Sequence, residues 1–153
     1  MSDALKSIFK QAGLADRFWD EATPVDLWRL QKKTDFDKNT MVLQPHEGSA
    51  EREPDVRVIE RDGRQVVLGC RCVKGEYRGV STFDRKVTWF GSKTAKHFTL
   101  PANTLIPPGL AVTKDSKNQH GAYHYTVAPK DDMPLDLFLQ CLRSMADAAQ
   151  LSI

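Results

Sequence analysis

The sequence predicts an α+β fold, a mainly antiparallel sheet with one helix near each end of the chain. Three observations lead there. Apolar residues recur at helical spacing at the two ends. Between them lie short runs rich in valine, threonine and aromatic residues, punctuated by glycine and proline. One of those points is Asp62-Gly63, a strong two-residue hairpin signal.

Taken in order, residues 3–19 read as a helix capped by Ser2 or Asp3. Leu5, Ile8, Phe9 and Ala12 fall on one face, and Phe18 and Trp19 form an apolar anchor past Gly13. Thr23-Pro24 breaks that pattern. In Val25-Asp26-Leu27-Trp28-Arg29-Leu30, alternation places Val25, Leu27 and Arg29 on one face of a short strand. Residues 44–55 are a polar loop, and Val56–Glu60 and Gln65–Val73 are the two arms around Asp62-Gly63. Gly79 to Asp84 begins another strand, and Lys86–Phe90 and Lys96–Leu100 flank a Gly91-Ser92 turn. A loop over 101–108 leads to the short strand Leu110-Ala111-Val112, then to a polar loop from Lys114 to Gly121. Ala122–Ala128 is β-branched and aromatic, hence a strand, closed by Pro129. The last helix starts at Pro134, whose fixed φ suits a first turn. Leu135, Phe138, Leu139, Leu142, Met145, Ala146 and Ala149 give it a continuous apolar stripe.

A composition of 41% apolar and 27% charged residues is that of a soluble globule, and 153 residues fit one domain, 1–153. The net charge of +2 is too small for nucleic-acid affinity from bulk charge, although a local basic patch leaves nucleic acid open as a partner. No apolar stretch reaches the length of a membrane span. The N-terminus lacks the apolar run and small-residue cleavage site of a secretory signal. The expectation is a cytoplasmic protein; delivery into a target cell would need other machinery. The three cysteines, Cys70, Cys72 and Cys141, are an odd number and argue against a disulfide scaffold.

Few residues stand out as carriers of chemistry. Arg29 sits on an apolar face, where a guanidinium must find an anion or a buried carboxylate. Its fork suits a pyrophosphate; a strand-edge ion pair or a snorkelling stem is the ordinary alternative. Ser81 and Thr82 offer short donors and acceptors beside Gly79, and Phe83 offers an aromatic face. Alternation puts Ser81 and Phe83 on one side and Thr82 on the other, and an ordinary strand opening would look the same. His124 points away from Tyr123 and Tyr125 and can donate, accept or titrate near neutral pH. In a strand it is more often a structural group. No cysteine or histidine spacing suits zinc, so no metal is expected. A serine hydrolase fails on the missing G-x-S-x-G elbow, with only Asp84 or Asp115 available to orient His124. A metal-free ribonuclease built on Lys114, Lys117, His120 and Tyr125 stays open.

Gly79-Val80-Ser81-Thr82-Phe83-Asp84, Ile106-Pro107-Pro108-Gly109-Leu110, Asp115-Ser116-Lys117-Asn118, His124-Tyr125-Thr126 and Pro129 occur in that order. Together they resemble the ADP-ribosyltransferase-like toxins delivered by type VI secretion, small NAD-dependent proteins with a dedicated immunity partner. The similarity covers roughly residues 79–145, and Leu27-Trp28-Arg29-Leu30 resembles the family's leucine-aromatic-arginine strand. The resemblance implies a split antiparallel sheet with NAD in a cleft between its halves. It implies Arg29 on the pyrophosphate, Ser81 with Thr82 behind it on the ribose or nicotinamide end, Phe83 or Tyr125 stacked on nicotinamide, and His124 on the ribose. Arg29, Ser81 and His124 are then the catalytic set. It implies an immunity protein as partner and leaves the acceptor unidentified.

One position departs from the pattern. The third motif usually carries a glutamate, whereas this chain has His124 there and no glutamate after Glu76. An imidazole cannot supply the same negative charge. NAD binding is therefore the firmer expectation. The expected function adds transfer of ADP-ribose to an unknown target or cleavage of NAD, with a metal-free ribonuclease or translation-targeting toxin and a non-catalytic NAD-binding module as the alternatives.

Overall fold

The computed structural model describes residues 4–30, 54–69, 79–85, 97–117 and 122–152, together with positions 41, 43, 45 and 50. The expected loop over 44–55 lies mostly outside these residues, and Cys70, Cys72, the turn at Gly91-Ser92 and His120 lie wholly outside them. The described elements are α1 (Ala4–Gln11), a 3-10 turn (Ala15–Arg17), β1 (Phe18–Trp19), β2 (Leu27–Leu30), β3 (Val58–Arg61), β4 (Arg64–Val67), β5 (Val80–Phe83), β6 (His97–Leu100), β7 (Leu110–Lys117), β8 (Tyr123–Pro129), β9 (Met133–Pro134), α2 (Leu135–Ala146) and β10 (Gln150–Ser152). The expected α+β class, with a helix near each end, is what these elements form.

The strands make a seven-stranded sheet in the order β1-β7-β8-β5-β2-β6-β10 and a three-stranded sheet β3-β4-β9. All registered pairs are antiparallel. The larger sheet is in two halves. β2 pairs along its length with β6, from Leu27↔Leu100 to Leu30↔His97, and β5 does the same with β8, from Val80↔Val127 to Phe83↔His124. Between β2 and β5 the register among the described residues is one pair, Trp28↔Phe83. That seam is the split in the sheet.

Alternation then sorts the side chains of each strand. Leu27, Val80, Phe98, Leu100, Val112 and Val127 face a core that they share with Val67 of β4 and with Phe138, Leu142 and Met145 of α2. The opposite face meets α1. Leu5 and Phe9 pack on Ala111 and Ala128, which stand directly across from one another on β7 and β8. Two alanines leave room for a helix to lie close to the sheet.

The first helix is shorter than the sequence suggests. Gly13 at φ +74 ends α1: its own N–H meets the Lys10 carbonyl at 3.2 Å, and that of Leu14 meets the Phe9 carbonyl at 2.8 Å. This is a Schellman stop, and it turns Phe18 and Trp19 into an edge strand rather than a helical tail. The Asp62-Gly63 turn is as expected, with positive φ at both residues (52 and 77), the type I′ geometry that matches strand twist.

Two further differences concern polar strands. β7 does not stop at Val112 but runs on to Lys117, where a polar loop was expected. β10 pairs with β6 beyond the end of α2. β7 also carries a bulge: Lys114 pairs with Tyr125 and Lys117 with Tyr123, so Asp115 and Ser116 together oppose His124. Gly79 has a local reason at the start of β5. A Cβ there would lie 2.2 Å from the Val127 carbonyl oxygen, so glycine alone lets the strand come this close.

Candidate functional site

The register assembles a row across the seam. Trp28 stands opposite Phe83, and Phe83 opposite His124, so their side chains project from the same face of β2, β5 and β8. One step along, Ser81 stands opposite Thr126. This is the face that α1 covers further on, at Ala111 and Ala128. Trp28, Ser81, Phe83 and His124 are all half-buried.

His124 is held from two sides. Its Nδ1 lies 2.6 Å from Asp115 Oδ2, and the Phe83 ring meets the imidazole edge-on at 5.4 Å between centroids. Thr126 donates its hydroxyl to the same Asp115 oxygen at 2.6 Å. The β7 bulge is what brings Asp115 opposite His124. A residue expected in a loop thus becomes part of the row.

Arg29 comes from the other side of β2. It stands opposite Phe98 and alternates with Trp28, so its stem starts beside Leu27 on the core face. Its guanidinium reaches across the seam, where Nη1 donates to the Ser81 carbonyl at 2.6 Å. Arg29 and Ser81 are therefore neighbours, as expected, but through the serine backbone. Ser81, Phe83 and His124 share one face, as the alternation in their strands requires.

Thr82 and Tyr125 do not join that face. Thr82 is fully buried on the core side and donates its hydroxyl to the Tyr125 carbonyl at 3.0 Å. Tyr125 is 4% exposed, with its ring 6.0 Å from that of Trp19. Burial, then Asp84, then Tyr123 push the Tyr125 phenol above its ordinary value of 10.0. The neutral phenol is favoured in the folded chain, so this group's contribution is fully present below pH 10.0 and is lost as pH rises through the higher folded value. We expect the urea midpoint to fall above about pH 10 and to fall less in Tyr125→Phe, read by fluorescence at several pH values.

Sequence reasoning left two residues of this row out of the candidate site. Trp28 could have been found by its alternation, since it lies opposite to Leu27 and Arg29. Asp115 could be named from the sequence only as one of two acids able to orient His124, because its meeting with the histidine depends on a bulge inside a run that reads as polar loop. Of the residues considered for a ribonuclease, Lys114 places its Nζ 4.1 Å over the Tyr123 ring, on the side of β8 away from His124. Among the described residues no group of His, Cys, Asp and Glu could hold a metal ion. None of the described helices is long and apolar enough to cross a membrane. A cavity of about 570 Å³ lies elsewhere, lined by Arg64, Gln65, Pro134, Leu135, Asp136 and Leu139.

A mostly antiparallel sheet with a helix near each end is the α+β arrangement of an ADP-ribosyltransferase-like toxin. The family model for the Tse2 ADP-ribosyltransferase toxin matches residues 6–151. The chain belongs to that family, whose members are NAD-using toxin transferases of the type VI secretion effector kind. Toxins of this kind are typically paired with immunity proteins. No curated protein matches the chain.

Proposed function

We propose that this chain is a single toxin domain that binds NAD at the seam and breaks the bond between ribose and nicotinamide, passing ADP-ribose to an acceptor or to water. The observation that supports it best is the row Trp28–Phe83–His124 beside Ser81, joined to Arg29 across the one-pair seam. The residue types suit the ligand. A guanidinium suits the anionic pyrophosphate, hydroxyl and imidazole suit sugar hydroxyls, and indole and phenyl faces suit the planar rings.

The chemistry asks little covalent work of the protein. The glycosidic C–N bond breaks with its electron pair leaving on nicotinamide. The acceptor, or water, supplies an oxygen or nitrogen to the same carbon and loses one proton to solvent. Positive charge builds on the sugar during that exchange, so fixed polar groups aimed at it lower the barrier. In this reading His124 contacts the ribose and Ser81 fixes the ribose or nicotinamide end. Arg29 steadies the Ser81 backbone while presenting charge to the pyrophosphate.

The test is calorimetric titration of NAD into the full chain and into Arg29→Ala, with free nicotinamide measured in the same samples. A hydrogen bond to a charged group is worth about 1.5–3 kcal/mol, so Arg29→Ala should weaken NAD binding by roughly 10- to 150-fold. Equal affinity in both proteins would remove Arg29 from the site. Binding without nicotinamide release would reduce the chain to a non-catalytic NAD-binding module.

A further inference from the structure

The missing glutamate leaves the proposed reaction without its usual negative charge beside the sugar. We propose that Asp115 restores it from one residue further back, as a positioning residue that fixes the tautomer of His124 and turns its Nε2 into the acceptor that faces the ribose. This rests on the NAD-cleaving reading above.

The geometry leaves the proton one place to be. A carboxylate oxygen can only accept, and Asp115 Oδ2 lies 2.6 Å from His124 Nδ1, so the proton between them sits on Nδ1. Thr126 already directs its hydroxyl hydrogen at that same carboxylate oxygen, at 2.6 Å. It therefore offers lone pairs to Nδ1, 3.4 Å away, and is a second acceptor for the same N–H. A neutral imidazole with its proton on Nδ1 carries its lone pair on Nε2. The edge-on Phe83 ring at 5.4 Å opposes rotation that would exchange the two nitrogens. Both side chains are about one-third exposed, 31% for His124 and 32% for Asp115, so a ligand can reach the imidazole.

The consequence is electrostatic. Nε2 accepts a hydrogen bond from a ribose hydroxyl, and the Asp115 charge, one imidazole away, makes that acceptor more negative as positive charge grows on the sugar. The β7 bulge is the device that makes this possible, because it sets Asp115 and Ser116 against the single residue His124.

The experiment reads the imidazole nitrogens directly, by long-range proton–nitrogen spectra of uniformly labelled full-length chain without ligand, beside nicotinamide release from NAD. The wild-type spectrum should show the Nδ1–H form of His124. In Asp115→Ala it should shift towards Nε2–H, and kcat should fall by about 10²-fold or more with a smaller change in KM for NAD. An unchanged tautomer overturns the proposal. So does a shifted tautomer with wild-type turnover. If Asp115→Ala does not fold, Asp115→Asn carries the test: it keeps an acceptor oxygen without the charge, and wild-type turnover in it overturns the electrostatic role. A wild-type chain that shows the Nδ1–H form but releases no nicotinamide overturns the catalytic role of the pair along with the reading it rests on. In that case the spectra still separate a false pairing from a false reaction.

Discussion

Replacing His124 by alanine is expected to lower nicotinamide release by about 10²–10⁴-fold while the chain stays folded. The two halves of that statement rest on different observations. The loss of rate follows from position: His124 stands opposite Phe83, one step from Ser81, on the face proposed to meet NAD. The survival of the fold follows from exposure. The imidazole is 31% exposed, and removing it takes away one bond to Asp115 and one ring edge against Phe83, while Thr126 still donates to the same carboxylate. Thermal melting of the variant should stay close to wild type, as it does for most half-exposed substitutions. Growth of cells expressing the two proteins gives a second measure, with the variant tolerated where the wild type is not. A folded variant that releases nicotinamide at the wild-type rate would take His124 out of the reaction.

Phe138→Ala is the largest expected loss of stability. The ring is fully buried in the core that α2 shares with both sheets, beside other buried residues of its own helix such as Leu142 and Met145. Truncating a buried phenylalanine costs about 3–5 kcal/mol, partly through lost transfer energy and partly through the cavity left behind. For a chain of this size that corresponds to a fall in Tm of roughly 6–20 °C. The control lies one residue away. Leu137 is 45% exposed on the same helix, and Leu137→Ala should change stability by no more than about 0.5 kcal/mol. Similar melting of the two variants would mean that α2 is not docked as described.

Much of the fold could be read from residue types because local and tertiary preferences agree there. The stripe from Leu135 to Ala149 has one solution, a helix with that side buried, and Asp62-Gly63 has one tight geometry that suits twisted strands. The sequence misleads where tertiary pairing overrides local character. Gly13 could have been a tolerated interruption, but its stop converts Phe18 and Trp19 into an edge strand. Thr113 to Lys117 has no apolar alternation, and strand β7 continues there through its pairing with β8. The site follows the same division. Ser81, Phe83 and His124 fall on a common face by simple alternation within β5 and β8. The bond from Arg29 to the Ser81 backbone and the meeting of Asp115 with His124 depend on a seam and a bulge, and neither has a signature in residue order.

The seam sets where the sheet can breathe. Backbone amides in a fully paired strand exchange with solvent slowly, because opening them breaks a ladder. Among the described residues, the registered ladder between β2 and β5 is the pair Trp28 and Phe83, and the Arg29 guanidinium bond to the Ser81 carbonyl lies alongside. A dinucleotide lying over this line, as proposed, would bridge the two halves. The proposed NAD site and this short ladder then coincide, so binding there should slow amide exchange on both sides of the junction.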